Sequence, residues 1–343
     1  MACGLTGFVT GSALSLGLAA FTGATVAGQL VPVVAGAAAF LVVVWITDAL
    51  TGAQSLTFYH DALAVLAASA VATAVLGLPV LAHLDLTAAG LMLLLAWGRV
   101  GCTLVGCCHG RPARRGIVYD HTHVRYGLAP HLVGRTLRPV PLYEAGAAGG
   151  LAVAGAAIAL AGAAPGTAFA VVLAAYALVR TALEEWRGDW QRPQLGGVSE
   201  PQITSALLIA GIAVATLAGV LPDGPYLFAP LLLLAEAAAI VGARRSRRPG
   251  LLDPGHVREL VKAAHRRVLV TTSRGVRVSA GVAGGRPHVT LSALPPGEDA
   301  AVAGAVADLC LPRGPTELVR GTAGVVHVLG PTEPVHVLGP SDG

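Results

Sequence analysis

No lysine or arginine occurs in the first 98 residues, and the only acids there are Asp48, Asp61 and Asp85. A soluble fold cannot clothe that length of chain with three charges, whereas a bilayer demands such a stretch. The whole chain is 54% hydrophobic and 12% charged, against about a quarter charged in ordinary globular domains. That composition excludes an ordinary soluble enzyme, and a disordered chain would lack the apolar content. The net charge is +4, but the basic residues fall in loops between apolar segments. A membrane surface therefore fits better than nucleic acid, and no nucleic-acid partner is expected.

A transmembrane helix takes about 20 mostly apolar residues. Such runs lie near 5–28, 32–50, 60–81, 86–106, 142–162, 166–186, 200–221 and 225–243. Pro32, the Leu78–Pro79 step and the Pro222-Asp223-Gly224-Pro225 turn punctuate them. The runs are rich in Ala and Gly, which lets helix backbones approach closely. The first run also carries Gly and Thr, and no positive segment precedes it, so a span is expected rather than a cleaved signal. The sequence predicts an all-α polytopic membrane protein of seven or eight transmembrane helices over residues 1–248.

After Arg244, Arg245, Arg247 and Arg248 the texture changes. Residues 249–343 carry nine Lys or Arg and eight Asp or Glu, a soluble balance. The patterns predict a helix over His256–Arg267, a hairpin over Val268–Val282 turning near Ser273-Arg274-Gly275, and a strand over His288–Leu294. A second helix follows over Glu298–Leu309 and a strand over Glu317–Leu329. This is a small soluble α+β appendage, expected to fold separately and to bind or regulate. Its end echoes itself, Val325 to Pro331 against Pro334 to Pro340, which reads as a repeated tail.

The stretch most informative about chemistry runs from Gly98 to Arg111. It places an arginine inside the end of an apolar helix, and four glycines (98, 101, 106 and 110) leave room for a ligand or another backbone. An intramembrane arginine costs about 2.5–3.5 kcal/mol at the helix centre on insertion scales, so it marks a functional site with an anionic partner. The plain alternative is a snorkelling Arg99 with glycines for packing.

The spacing Gly-Arg-x-Gly-x-x-x-x-Gly-x-x-x-Gly-Arg over Gly98–Arg111 resembles the signature of prolipoprotein diacylglyceryl transferases. Three further segments follow in that family's order. Pro139-Val140-Pro141-Leu142-Tyr143-Glu144 is similar to its Pro-x-Gln-Leu-Tyr-Glu. Tyr176, Arg180, Glu184 and Arg187, followed by Asp189, match its Tyr-x3-Arg-x3-Glu-x2-Arg. Ser199-Glu200-Pro201-Gln202-Ile203-Thr204-Ser205 is similar to the Ser-x-Gly-Gln-x-x-Ser that opens its last helix. Ser55 to His60 matches its Phe-His-Gly-Gly region weakly, and the resemblance covers roughly 50–220. The chain departs where the family usually carries Asn, Asn and Glu and this sequence has Cys102, Val105 and Cys107. Pro141 replaces a Gln, and Tyr59 stands where His is usual, with His60 one step on.

The resemblance implies transfer of a diacylglyceryl group from phosphatidylglycerol to the cysteine thiol of a prolipoprotein signal peptide. Glycerol phosphate leaves, a thioether forms, and neither metal nor soluble cofactor takes part. The site would be in a bacterial inner or plasma membrane, among membrane lipids. Such chemistry asks for a clamp on phosphate in low dielectric, which the planar guanidinium fork supplies. Arg99 is the first clamp, with Arg180 and Arg187 as the second. Arg180, Glu184 and Arg187, at i, i+4 and i+7, would share a helix face on which Glu184 orients the arginines. A structural salt-bridge cluster is the alternative for that face. Gly98, Gly101, Gly106, Gly110, Arg111, Tyr143, Glu144, Tyr176 and Gln202 are the matched positions expected to bind substrate. His60 or Tyr59 is the candidate base for the thiol, with Asp61 beside His60, unless the pair is an interfacial aromatic–polar contact.

Cys102, Cys107 and Cys108 admit small buried packing, a redox pair, or a metal site with His109, His121 and His123. The loop from Arg111 to Arg138 holds six arginines, suited to anionic headgroups. Charge bias places this loop and Arg244–Arg248 on the cytoplasmic side. The resemblance places the loop outside, and is followed for the loop, while the side of the appendage stays open. Two other classes stay alive: a scaffold or receptor that kept the fold without catalysis, and, behind it, a small anion transporter.

Overall fold

A computed structural model describes residues 2–51, 58–188, 194–195, 197–246, 250–266, 268–295, 297–312, 316–321 and 324–331. Of the sequence features above, Ser55 to Thr57, Asp189, Arg247, Arg248 and the echo at Pro334 to Pro340 lie outside these residues. The helices of the apolar part are α1 (Ala2–Phe21), α2 (Val26–Thr51), α3 (Phe58–Val75) and α4 (Val80–Val105). A ladder of β1 (Pro112–Val118) and β2 (Thr136–Leu137) follows, then α5 (Val140–Leu160), α6 (Thr167–Glu184), the short pair β3 (Gln194–Leu195) and β4 (Val198–Ser199), α7 (Glu200–Leu217) and α8 (Ala229–Ser246). The C-terminal part comprises α9 (Pro254–His265), β5 (Val270–Thr271), β6 (Arg277–Ala283), β7 (Arg286–Ser292), α10 (Asp299–Cys310), β8 (Glu317–Arg320) and β9 (Val326–Leu329). Seven of the helices are long and apolar enough to cross a membrane, and the apolar run in α3, Tyr59–Val75, is shorter. The expected polytopic helical protein with a small α+β appendage is what the chain forms.

The chain divides into two compact units. The first holds Met1–Leu104, Val140–Arg187 and Pro193–Ser246. Its large apolar side chains, Trp45, Leu50, Val75, Leu217 and Leu234 among them, stay exposed, as lipid contact requires. Small residues bring helices together instead: a Cβ at Gly11 would stand 2.5 Å from the Gly90 carbonyl oxygen, so α1 and α4 touch backbone to backbone. Buried polar groups tie these two helices to α2. His83 Nδ1 lies 2.7 Å from Gln29 Oε1, and Gln29 Nε2 donates to Ser15 Oγ at 2.7 Å and Thr87 Oγ1 at 3.1 Å.

Three boundaries early in the chain differ from the sequence reading. α1 ends at Phe21, and Pro32 sits inside α2 rather than before it, its carbonyl accepting from Ser69 Oγ at 3.0 Å. Membrane helices tolerate an internal proline where a neighbour engages the local carbonyls. α4 begins at Val80, six residues before the apolar run, because Asp85 belongs to the bundle. Its carboxylate accepts from Gly166 N at 2.8 Å and Phe169 N at 2.7 Å, capping α6 from another helix where Gly166 itself has no side chain.

The second unit holds Val105–Pro139, Gly188–Arg192 and Arg247–Gly343, so the arginine-rich loop and the appendage belong to one body. The antiparallel sheet has the order β5-β6-β7-β9-β8, with α9 and α10 over the face that presents Val278, Val289, Leu291 and Val328. The single strand expected over Glu317–Leu329 is two, β8 and β9, paired Glu317 to Leu329 through a turn with Gly324 at φ +73°. Glycine takes that left-handed conformation without the Cβ clash.

Burial pushes the Cys310 thiol at the end of α10 up to about 11. The shift lowers its thiolate fraction at pH 8 about a hundredfold relative to an ordinary thiol. Alkylation of Cys310, followed by peptide mass spectrometry, should be slower by that order in the folded protein than in denaturant. Equal rates would show that the thiol is not shielded.

Candidate active site

In the first unit the C-terminal ends of α4 and α6 and the N-terminal ends of α3, α5 and α7 lie at one end of the bundle. α6 presents Ala168, Val172, Tyr176, Arg180 and Glu184 at steps of four, all buried, so the polar residues continue its packing stripe. α5 does the same with Glu144, Ala148 and Ala152, and Gly155 lets it close on α6 at Val172. Pro141 falls in the first turn of α5, where the missing N–H has no helical partner to lose.

Glu144 is fully buried and is the centre of the arrangement. Its Oε2 lies 3.0 Å from Arg99 Nε, and its Oε1 lies 3.7 Å from Arg180 Nε while accepting from Tyr176 OH at 2.7 Å. Arg180 Nη2 meets Glu184 Oε2 at 2.8 Å. Arg187 is buried as well and acts on Glu144 electrostatically. α6 stops at Glu184, so Arg187 does not share its face as expected. Instead successive i to i−3 hydrogen bonds (Glu185 to Ala182, Trp186 to Leu183, Arg187 to Glu184) tighten the chain into a last turn, which still buries Arg187. Among the described residues, Arg99, Arg180 and Arg187 thus gather with Glu144 and Glu184 in one buried place. The Nη1 of Arg180 is buried without a hydrogen-bond acceptor among the described residues.

Tyr59 lies against this cluster, its ring centroid 6.0 Å from that of Tyr176 and its hydroxyl 2.6 Å from Ser205 Oγ. His60 takes another direction: it is exposed, and its Nε2 is 2.9 Å from Glu200 Oε1, so the acid it pairs with directly is Glu200, while Asp61 interacts with it electrostatically. Gln202 Oε1 accepts from Ser199 N at 3.1 Å at the start of α7, and its Nε2 donates to Glu185 Oε1 at 3.0 Å. Arg244 Nε donates to Glu185 Oε2 at 2.9 Å, its Nη2 meets Oε1, and its Nη1 donates to Gly197 O at 2.9 Å. Tyr143 is exposed, edge-on to Trp186 at 6.0 Å, and is not drawn into the cluster.

Gly98 and Gly101 lie on α4 beside Arg99, and Arg99 Nη1 is 4.0 Å from Cys102 Sγ. Gly106, Gly110 and Arg111 belong to the second unit. There Gly106 has φ +77° under the Tyr119 ring, Gly110 N donates to Arg138 O at 2.8 Å, and Arg111 Nη1 donates to Asp253 Oδ1 at 3.1 Å. Two histidines of the metal reading are engaged by one nitrogen each: His109 Nδ1 with Gly110 O at 2.9 Å and His123 Nδ1 with Asp120 Oδ1 at 2.8 Å. Hydrogen bonds from the Thr122 hydroxyl and then His123 hold the Asp120 carboxyl down at about 2.

Sequence reasoning passed over Glu185, Arg244 and Ser205 as site residues. Glu185 had a signal, a second acid beside Glu184 at the end of an apolar helix. Arg244 had none, because it reads as one of a basic boundary cluster.

A family model described as prolipoprotein diacylglyceryl transferase matches residues 11–218, more than half of the chain. No curated protein and no solved structure matches.

Proposed function

The chain belongs to the prolipoprotein diacylglyceryl transferase family, membrane transferases of lipoprotein biosynthesis, and from that premise we propose that it moves a diacylglyceryl group from phosphatidylglycerol to a prolipoprotein cysteine in a bacterial inner or plasma membrane. The observation that carries this reading is the buried gathering of Arg99, Arg180 and Arg187 around Glu144 and Glu184, with Arg180 Nη1 lacking a hydrogen-bond acceptor among the described residues. A buried N–H left without an acceptor costs about 1–3 kcal/mol, which a phosphate oxygen offsets.

The sulfur attacks the glyceryl carbon that bears the phosphate, the carbon–oxygen bond breaks, and glycerol phosphate leaves with that bond's electron pair. The phosphate gains one negative charge as the bond breaks, so the arginines bind the transition state more strongly than the lipid. Glu144 and Glu184 fix the guanidinium orientations in advance. The thiol proton passes to His60 or Tyr59: His60 is exposed with its Nε2 2.9 Å from Glu200 Oε1, and the Tyr59 hydroxyl pairs with Ser205 Oγ beside the cluster. Gly98, Gly101, Gly106, Gly110, Arg111, Tyr143 and Gln202 serve substrate binding in this reading.

A catalytically inactive scaffold of the same fold is the second reading. Cys102, Val105 and Cys107 favour it, standing where family members usually carry Asn, Asn and Glu. Complementation of a transferase-depleted strain, scored by the mass of a reporter lipoprotein, separates the two. The expected result is a reporter heavier by one diacylglyceryl group. Unmodified reporter beside membrane-inserted protein would transfer the conclusion to the scaffold.

A further inference from the structure

The appendage begins α9 with Asp253 at the N-cap and Pro254 after it. An aspartate there ordinarily turns its carboxylate onto the first free N–H groups of its own helix. Asp253 makes no such bond. Its Oδ1 accepts from Arg111 Nη1 at 3.1 Å, and both side chains are largely shielded from solvent, at 25% and 16% exposure. Arg111 is the last residue of the glycine–arginine signature. Its backbone is also held, since Arg138 N donates to Arg111 O at 3.1 Å at the base of the loop.

A second attachment lies at the turn Pro130–Leu132 of the same loop. Asp308 Oδ2 on α10 accepts from both His131 N at 2.6 Å and His131 Nδ1 at 2.8 Å. Gly304 of α10 lies against the same turn, where a Cβ would stand 3.4 Å from the His131 Cβ, at the near edge of ordinary contact. The appendage therefore grips the loop at its base and at a distant turn, both within one compact unit.

We propose that the appendage is a brace for this loop, in which Asp253 is a positioning residue that sets the Arg111 guanidinium for the lipid and Asp308 anchors the turn at His131. The proposal rests on the lipid-transfer reading for its consequence in activity, but the brace itself is measurable without it. A half-shielded ion pair that only positions a binding group weakens substrate binding more than the chemical step.

The test uses the full chain in membranes or detergent, with Asp253→Ala, Asp253→Glu and Asp308→Asn. Hydrogen exchange in peptides covering 111–138 should quicken in Asp253→Ala and Asp308→Asn, with peptides of α4 to α7 unchanged. In the transfer assay Asp253→Ala should raise the KM for phosphatidylglycerol about fivefold or more with kcat within about twofold. Asp253→Glu, which keeps the carboxylate, should stay close to wild type in both. Unchanged loop exchange in both weakened variants overturns the brace, and unchanged KM in Asp253→Ala beside a loosened loop overturns the positioning of Arg111. If the unmutated chain transfers no lipid, the lipid-transfer reading falls, the positioning role falls with it, and hydrogen exchange alone judges the brace.

Discussion

Replacing Glu144 with alanine is expected to destabilise the bundle by about 3–5 kcal/mol, the cost of removing one partner from a buried ion pair. That is a large part of the 5–15 kcal/mol typical of a folded domain. Glu144 stands between Arg99 Nε at 3.0 Å and Arg180 Nε at 3.7 Å and accepts from Tyr176. Its loss leaves like charges facing each other in low dielectric and strands a buried phenol. Membrane abundance and the melting temperature in detergent should both fall, and lipid transfer should vanish. Glu144→Gln keeps the shape and one acceptor for Tyr176, so it should be milder in stability while still losing transfer. A Glu144→Ala protein with unaltered melting and abundance would show that the arginines do not depend on this carboxylate.

Arg99→Lys separates clamping from snorkelling. Lysine keeps a charge for Glu144 but loses the planar fork that holds two phosphate oxygens. A charge-assisted hydrogen bond made in the transition state is worth about 1.5–3 kcal/mol, or roughly ten- to more than a hundredfold in rate. Arg99→Lys should therefore abolish most reporter lipidation while the protein still accumulates in the membrane. Retained lipidation would remove Arg99 from the mechanism, because a snorkelling role tolerates either long stem.

The spans were legible because hydrocarbon leaves a chain few options: every backbone group must be satisfied within its own helix, which writes long uncharged runs into the sequence. Where one residue obeyed tertiary structure, the reading slipped. Pro32 looked like a break and lies within α2, and Asp85, just before the expected run 86–106, lies within α4 and caps α6. In the appendage, alternation located β8 and β9 but not the turn between them, since both halves of a hairpin alternate alike.

The site divides along the same line. Arg99, Glu144, Tyr176, Arg180, Glu184 and Arg187 stand out as polar groups in or at the ends of apolar runs, at spacings that match a family signature. The cost of intramembrane charge marks Arg99 residue by residue, whereas Glu144 and Tyr176 are marked by the resemblance. Which group meets which was decided only by packing. Glu144 on α5 binds arginines from α4 and α6, and His60 turns outward to Glu200. Asp253 leaves its own helix for Arg111, 142 residues earlier in the chain. A hydrogen bond or ion pair acts over a few ångströms between elements far apart in sequence. Such pairs leave no periodic trace, and folding alone sets their distances.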